Sequence, residues 1–373
     1  MKPRRSSMSA SERIAALDLL SELQCHGARW QDDGHGLSRK GGAGPSDHKA
    51  LSLGGHTAMV PMLNQASLLS PYEVRPQGAG ELALIYRDGQ QVGQVQVPGV
   101  PNFYARSTAD GIPYWKIATL HSDDVLATTL LQHCIRMNDA ASACQFCAIG
   151  QSLESGKTIA RKRPAQLAEV AKAAVELDGV KHMVMTTGTP QTSDRGAAIL
   201  CESAAAVTAA VALPIQAQCE PPDEDAWFRR LQDSGVVSLG MHLEAVTDEV
   251  RQRIMPGKAQ VPLARYFSAF AAAVEVFGRG QVSTYILAGL GDSEEAIVAM
   301  AERLAAMGVY PFVVPFVPID GTPLAQHPKP DSAFMQRLYP RIGASLQRHG
   351  LHSEQIKAGC AKCGACSALK RHE

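Results

Sequence analysis

The sequence predicts an α/β chain built on a partial (β/α)6 TIM-like barrel, with a small mixed module before it and a cysteine-rich extension after it. Three observations lead there. From about residue 114, short apolar runs alternate with helical stretches, the pattern of a parallel sheet with crossover helices. Six such runs occur, which suggests a sheet that curls without closing into eight strands. Six of the nine cysteines fall in two tight groups, one just after the first run and one near the end of the chain.

The accessory module is expected over residues 1–113. Ser9 and Glu12 form a capping-box pattern opening an amphipathic helix to about Gln24. Residues 32–55 are rich in Gly, Ser, His and Asp and read as a flexible surface segment. Gly41, Gly42 and Gly44 lie close together there, but without the preceding strand and following helix that a phosphate-cradling loop requires. Residues 81–97 read as two strands around an Asp88-Gly89 turn.

The barrel is expected over residues 114–348. Its strands are placed at 126–131, 182–185, 215–218, 236–243, 282–287 and 310–316. Helices are placed at 164–177, with Pro at the first turn and Gly179 after the end, then at 196–211, 223–232, 263–277, 293–307 and 332–348. In such barrels chemistry gathers at the C-terminal ends of the strands. Residues 349–373 form the extension.

Lys+Arg and Asp+Glu each number 36 in 373 residues, so no net charge draws the chain to nucleic acid or to anionic lipid. The basic start is followed by no apolar run of signal-peptide length, and nothing elsewhere is apolar enough to span a bilayer. A cytoplasmic protein is the expectation. An odd number of cysteines in such a chain argues against a disulfide framework, and clustered thiols in a reducing compartment more often bind metal. Cys25, Cys201 and Cys219 are scattered and read as buried structural thiols.

Cys134 follows the first strand, and nine residues separate it from Cys144-Gln145-Phe146-Cys147. Three thiolates on one loop can hold three irons of a [4Fe–4S] cluster and leave the fourth open to a chelating amino acid moiety. Ordinary buried thiols, or a zinc loop completed by His133, are the competing readings. Four further segments follow in order. Thr186-Thr187-Gly188-Thr189 comes after the second strand, and the 240–250 segment with His242 and Glu244 forms the fourth. Ala288-Gly289-Leu290-Gly291-Asp292 follows the fifth, and the 315–324 segment containing Gly321-Thr322-Pro323-Leu324 follows the sixth. His242 and Glu244 are two apart and share one face of their strand. Taken singly, these segments read as turns, a core histidine and a capping carboxylate.

With the cysteine loop, these segments make residues 125–324 resemble the radical S-adenosylmethionine (SAM) superfamily, nearest to biotin synthase and lipoyl synthase. The usual three-residue first gap is nine here, but the aromatic before the last cysteine is kept. The resemblance implies a [4Fe–4S] cluster on Cys134, Cys144 and Cys147, and SAM bound beside Phe146, Gly188, His242, Glu244, Gly289 and Leu290. Gly188 is the one match to the family's turn for the methionine amino group. Arg253, Lys258 and Arg265 are candidates for its carboxylate. It further implies reductive cleavage of SAM, hydrogen abstraction from a small molecule, and a reducing partner such as flavodoxin or ferredoxin. A resemblance to a less studied subfamily often encoded beside a nitrilase suggests nitrile-related or natural-product biosynthesis.

Cys360, Cys363 and Cys366 recur at uniform spacing, matching part of a bacterial ferredoxin cluster motif without its fourth cysteine. A second iron–sulfur cluster is the expectation, with zinc completed by His349, His352 or His372, or a frayed tail of free thiols, as alternatives. A different class of protein, an iron–sulfur or zinc electron-transfer scaffold without SAM cleavage, competes with the enzyme reading. Such a carrier needs no adenosine pocket. RNA modification finds no support in a basic face.

Overall fold

The computed structural model describes residues 10–31, 47–77 and 81–373. Ser9, residues 32–46 and thus the Gly41-Gly42-Gly44 cluster lie outside them. The helix expected after Ser9 is α1 (Ala10–His26).

A six-stranded sheet packs on α1. Its strands are β1 (Arg29–Trp30), β2 (His48–Leu53), β3 (His56–Pro61), β4 (Tyr72–Pro76), β5 (Leu82–Arg87) and β6 (Gln90–Gln96), in the order β1-β4-β5-β6-β2-β3. The β5–β6 hairpin turns where expected: Asp88 (φ +50°) and Gly89 (φ +83°) both take the left-handed conformation that suits a two-residue hairpin. The region read as a flexible segment ends differently, because residues 48–53 pair in antiparallel register with 56–61. Leu51, Ala58 and Val60 bury one face of that hairpin against Leu20 and Leu23. Its other face carries His48 and Met59 to the barrel cavity, and the polar residues His48, Lys49 and Ser52 mask the alternation in the sequence.

The second sheet is the barrel: β7 (Thr119–His121), β8 (Val125–Thr129), β9 (His182–Thr186), β10 (Ile215–Gln218), β11 (Val236–Gly240), β12 (Val282–Ala288) and β13 (Val309–Pro315). Neighbours run in strict sequence order from β7 to β13. All six strands from β8 to β13 are parallel, and only β7 is antiparallel, at the edge. This is an open partial (β/α)6 barrel. Crossovers carry α2 (Pro164–Asp178), α3 (Ala197–Ala210), α4 (Ala226–Asp233), α5 (Asp248–Ile254), α6 (Leu263–Phe277) and α7 (Glu294–Ala306), and α8 (Ser332–Arg348) follows β13. Helix ends follow capping chemistry: Gly179 closes α2 at φ +66°, and the Ser293 and Asp331 side chains accept first-turn N–H groups of α7 and α8.

Strand alternation sorts the side chains. Leu126, Met183, Ile215, Leu239 and Ile286 pack outward against helix residues such as Leu167, Leu200, Phe228, Phe270 and Leu304. Ala127, Val184, Gln218, Tyr285 and Leu287 face the interior.

Two segments close the open barrel. Residues 349–373 are packed, with Leu351, Ile356, Ala361 and Leu369 buried in the main core. Gly359 N–H donates to His182 Nδ1 (3.2 Å) and Cys360 N–H to Gln216 Oε1 (3.2 Å), so this segment crosses the N-terminal ends of β9 and β10 as a floor. The N-terminal module spans the gap between the sheet edges. Thr57 hydrogen-bonds Asp123 beside β7, Asn64 Nδ2 donates to Pro318 O (3.0 Å) beyond β13, and Met59 N–H donates to Ala365 O (2.7 Å) in the floor. Residues 102–117 already belong to the barrel core through Phe103, Tyr114 and Ile117. Among the described residues no helix is long and apolar enough to cross a membrane.

Candidate functional site

The barrel holds a cavity of about 440 Å³. Cys134, Cys144 and Cys147 line it, with Phe146, Gly188, His242 and Glu244, and so do Cys360 and Cys366 from the floor. The two cysteine groups therefore border one space.

The first group rides on the loop after β8, at the C-terminal ends of the strands. Backbone contacts stitch that loop to three of its neighbours. Ile135 N–H donates to Thr189 O (2.9 Å), Gln145 N–H to Ile254 O (2.9 Å), and Leu324 N–H to Gln145 O (3.2 Å). The Gln145 side chain adds a 2.6 Å bond to Arg253 O. The long first gap is packed too, since Gly257 N–H donates to Ser142 O (3.1 Å). Gly188 has a steric reason to be glycine: a Cβ there would overlap the His133 carbonyl, so the strand-two turn fits against the cysteine loop only without one.

The donor set suits a cluster. Burial pushes the Cys144 thiol well above its ordinary pKa, with Glu244 adding to the effect, so a metal is what would hold it as thiolate. Among the described residues no three His, Cys, Asp or Glu side chains converge closely enough to hold a single ion. A cubane takes one sulfur per iron and spaces its ligands more widely than a lone zinc does. His133, the fourth zinc ligand considered above, is exposed and does not line the cavity.

The SAM-contact candidates divide into two sets. His242 Nδ1 accepts the Tyr285 N–H (3.2 Å), which places the neutral ring's proton on Nε2. That nitrogen is buried with no protein partner, and burial pushes the His242 pKa down to about 3, Lys258 contributing. Glu244 pairs with Lys258 at 2.8 Å and extends the β11 ladder, its N–H on Tyr285 O (2.9 Å) and its carbonyl accepting Leu287 N–H (2.8 Å). Burial works against the Lys258 charge, but Glu244 and its other acidic neighbours raise its pKa above the ordinary value.

Gly289 and Leu290 stand behind the wall and do not line the cavity. Gly289 (φ +110°) packs on Pro330, and its carbonyl contacts His327 Nε2 (2.9 Å). Leu290 is fully buried with Ile254, Phe316 and Leu324, in an apolar cluster that also takes Phe146 and Cys144. Asp292 completes this turn by accepting Val246 N–H (2.8 Å), Thr247 N–H (3.0 Å) and the Thr247 hydroxyl (2.6 Å). Of the three basic candidates, Lys258 lines the cavity. Arg253 holds Leu290 O (3.2 Å), and Arg265 pairs with Asp225 (2.7 Å).

Sequence reasoning missed a buried pair in the same wall. Arg136 binds both oxygens of Glu220 at 2.5 and 3.0 Å, and Thr189 Oγ1 donates to Glu220 at 3.0 Å. The partners are 84 positions apart, and only the closeness of Arg136 to Cys134 hints at its place.

At the floor, Cys360, Cys363 and Cys366 are half-buried. Gln218 Nε2 donates to Cys360 Sγ (3.3 Å), and Cys366 Sγ lies 3.5 Å from His121 Nε2. The histidines considered from sequence are elsewhere: His349 binds Glu302 (2.7 Å), His372 stacks on Tyr339, and neither they nor His352 line the cavity. Tyr285 stands between the two ends, with its ring edge-to-face on His242 (4.8 Å) and close to Cys360 and Cys366.

Residues 135–304 match the family model described as the radical SAM superfamily. The chain is similar to the bacteriochlorophyllide c C-7(1)-hydroxylase of Chlorobaculum limnaeum, 26% identical over 217 residues, covering 53% of this chain and 54% of that protein. It is also similar to a probable dual-specificity RNA methyltransferase of Symbiobacterium thermophilum, 31% identical over 139 residues, covering 36% of this chain and 37% of that protein. Methylornithine synthase aligns with a TM-score of 0.47 at 16% identity, over 66% of this chain and 69% of that one. The chain thus spans about half the length of the hydroxylase and just over a third of the methyltransferase.

Proposed function

We propose that this chain, whose residues 135–304 match the radical SAM superfamily, is an enzyme that cleaves SAM reductively and turns the radical on a small molecule held inside the barrel. One observation carries the reading: Cys134, Cys144 and Cys147 border the same cavity as His242 and Glu244, one offering an unpartnered buried donor and the other a carboxylate. An electron carrier has no use for that pocket.

In this proposal the three cysteines hold a [4Fe–4S] cluster with one iron left to the methionine moiety of SAM. When bound, the cluster supplies the electron that splits the sulfonium into methionine and a 5′-deoxyadenosyl radical. Phe146 flanks the adenine, and Glu244 with the His242 Nε2–H binds the nucleoside hydroxyls. Gly188 lets the strand-two turn approach the methionine end, and Lys258, which lines the cavity, is the cation assigned to its carboxylate. Leu290 acts from behind, fixing Phe146 through their shared cluster, and Gly289 shapes the turn that carries it. The floor and the N-terminal module exclude water that would quench a radical.

Cys360, Cys363 and Cys366 hold a second iron–sulfur centre in this reading, and substrate lies between the two. A reductant such as flavodoxin or ferredoxin supplies electrons, and nitrile-related or natural-product biosynthesis is the proposed setting. A neutral net charge and an internal cavity favour a small molecule over RNA.

The test is to reconstitute the protein anaerobically, reduce it and incubate it with SAM and a metabolite extract. 5′-Deoxyadenosine should appear, faster with the extract, and the metabolite consumed identifies the substrate. Intact clusters with no 5′-deoxyadenosine would favour the electron-transfer scaffold.

A further inference from the structure

We propose that His121 is the fourth ligand of the C-terminal centre, sharing one iron with Cys366 while Cys360 and Cys363 hold the second iron of a [2Fe–2S] cluster. This rests on the iron–sulfur reading of that cysteine group.

The argument starts from one distance. Two ligands on one tetrahedral metal, with bonds of about 2.3 Å to sulfur and 2.0 Å to nitrogen, stand about 3.5 Å apart. Cys366 Sγ and His121 Nε2 are 3.5 Å apart. On a cubane each would sit on its own iron and be farther away, so this pair fits one iron with two protein ligands. Cys360 and Cys363 make a second pair, at the two ends of a single helical turn (Cys360–Cys363), where an i, i+3 spacing puts both thiols on one side. The described side chains form no converging group of three around a single ion. Two ligand pairs, one for each metal, is the ligand pattern of a binuclear centre.

The surroundings hold His121 there for structural reasons. It ends the edge strand β7, paired with Val125 of β8, and Ser122 turns the chain at φ +57°. His121 and Cys366 are 245 positions apart, so the contact exists only because the C-terminal segment folds back under the barrel. Gln218 Nε2–H on Cys360 Sγ supplies the kind of hydrogen bond that tunes cluster sulfurs.

Imidazole in place of a thiolate removes negative charge from the cluster and raises its potential. The experiment uses full-length, anaerobically reconstituted protein, uniformly labelled with ¹⁵N. The reduced second cluster is recorded by pulsed electron paramagnetic resonance at a temperature where only a [2Fe–2S] signal survives. We expect directly coordinated ¹⁵N coupling in the parent, retained cluster without it in His121→Cys together with a lower midpoint potential, and loss of roughly two of about six irons in His121→Ala. A [2Fe–2S] signal without nitrogen coupling in the parent would overturn the ligand assignment and leave the iron–sulfur reading standing. About four irons with stoichiometric zinc would overturn the iron–sulfur reading itself.

Discussion

Glu244 reaches the Lys258 ammonium at 2.8 Å from a backbone held in the left-handed region, φ +67°, where a non-glycine residue is under strain. The strain is sustained by two ladder hydrogen bonds to β12 and by the ion pair. A carboxylate is thus held at the cavity wall by a conformation that its side chain does not favour, which is how strained residues at binding sites are usually kept.

Replacing Glu244 with Gln should weaken SAM binding by about 1.5–3 kcal/mol, or ten- to a hundred-fold, if the carboxylate meets the ribose. Iron–sulfur absorbance should persist. Unchanged affinity with a lower melting temperature would assign Glu244 a structural part only.

Glu244→Gly and Glu244→Ala both remove the carboxylate, but only glycine relieves the backbone. The Gly variant should be more stable than the Ala variant by about 1–2 kcal/mol in denaturant unfolding. Equal stability would show that the turn relaxes without strain.

Arg136 and Glu220 are both nearly buried, so removing one partner leaves an unpaired charge. Glu220→Ala should cost about 3–5 kcal/mol, and the double change Arg136→Met with Glu220→Leu much less. A double-mutant cycle measures the difference, and strictly additive costs would refute the coupling.

Changing Cys134, Cys144 or Cys147 to Ala should abolish formation of 5′-deoxyadenosine and remove about four irons per chain, leaving the floor centre. Gly188→Ala should lower iron content at the first site as well, because its methyl displaces the His133 carbonyl.

Glu302 ties α7 to α8. Hydrogen bonds from Ser345, His349 and Arg348 pull its pKa from 4.5 down to about 2. The folded value lies below the unfolded one, so the stabilisation is complete above pH 4.5 and fades as pH falls toward 2. The site is exposed, so Glu302→Gln should cost under about 1 kcal/mol at pH 7 and nothing near pH 2, as thermal melts can check.

The barrel was legible in the sequence because most strands from β8 to β13 are short, largely apolar runs alternating with helical stretches, β10 with its two glutamines being the weakest. The N-terminal sheet was not. β1 has two residues and pairs in parallel with β4, which ends on Pro76, so neither carries enough pattern to stand out. Within the site, the cysteines, Phe146, His242 and Glu244 were legible from spacing on single segments. Gly289 and Leu290 were recognised as a motif, but their place behind Phe146 depends on packing that spacing does not encode. Arg136 with Glu220, and His121 with Cys366, meet only through the fold, 84 and 245 positions apart.

The Ala365 carbonyl accepts both Met59 N–H (2.7 Å) and Gln24 Nε2–H (2.7 Å), the latter from 341 positions away. Contacts of such separation are the slowest to form, because nearly the whole chain must be ordered before they stabilise it. The barrel walls, built from neighbouring βα units, assemble on a faster clock than the floor beneath them. The expected order leaves the interior open from below until Gln24 and Met59 reach Ala365.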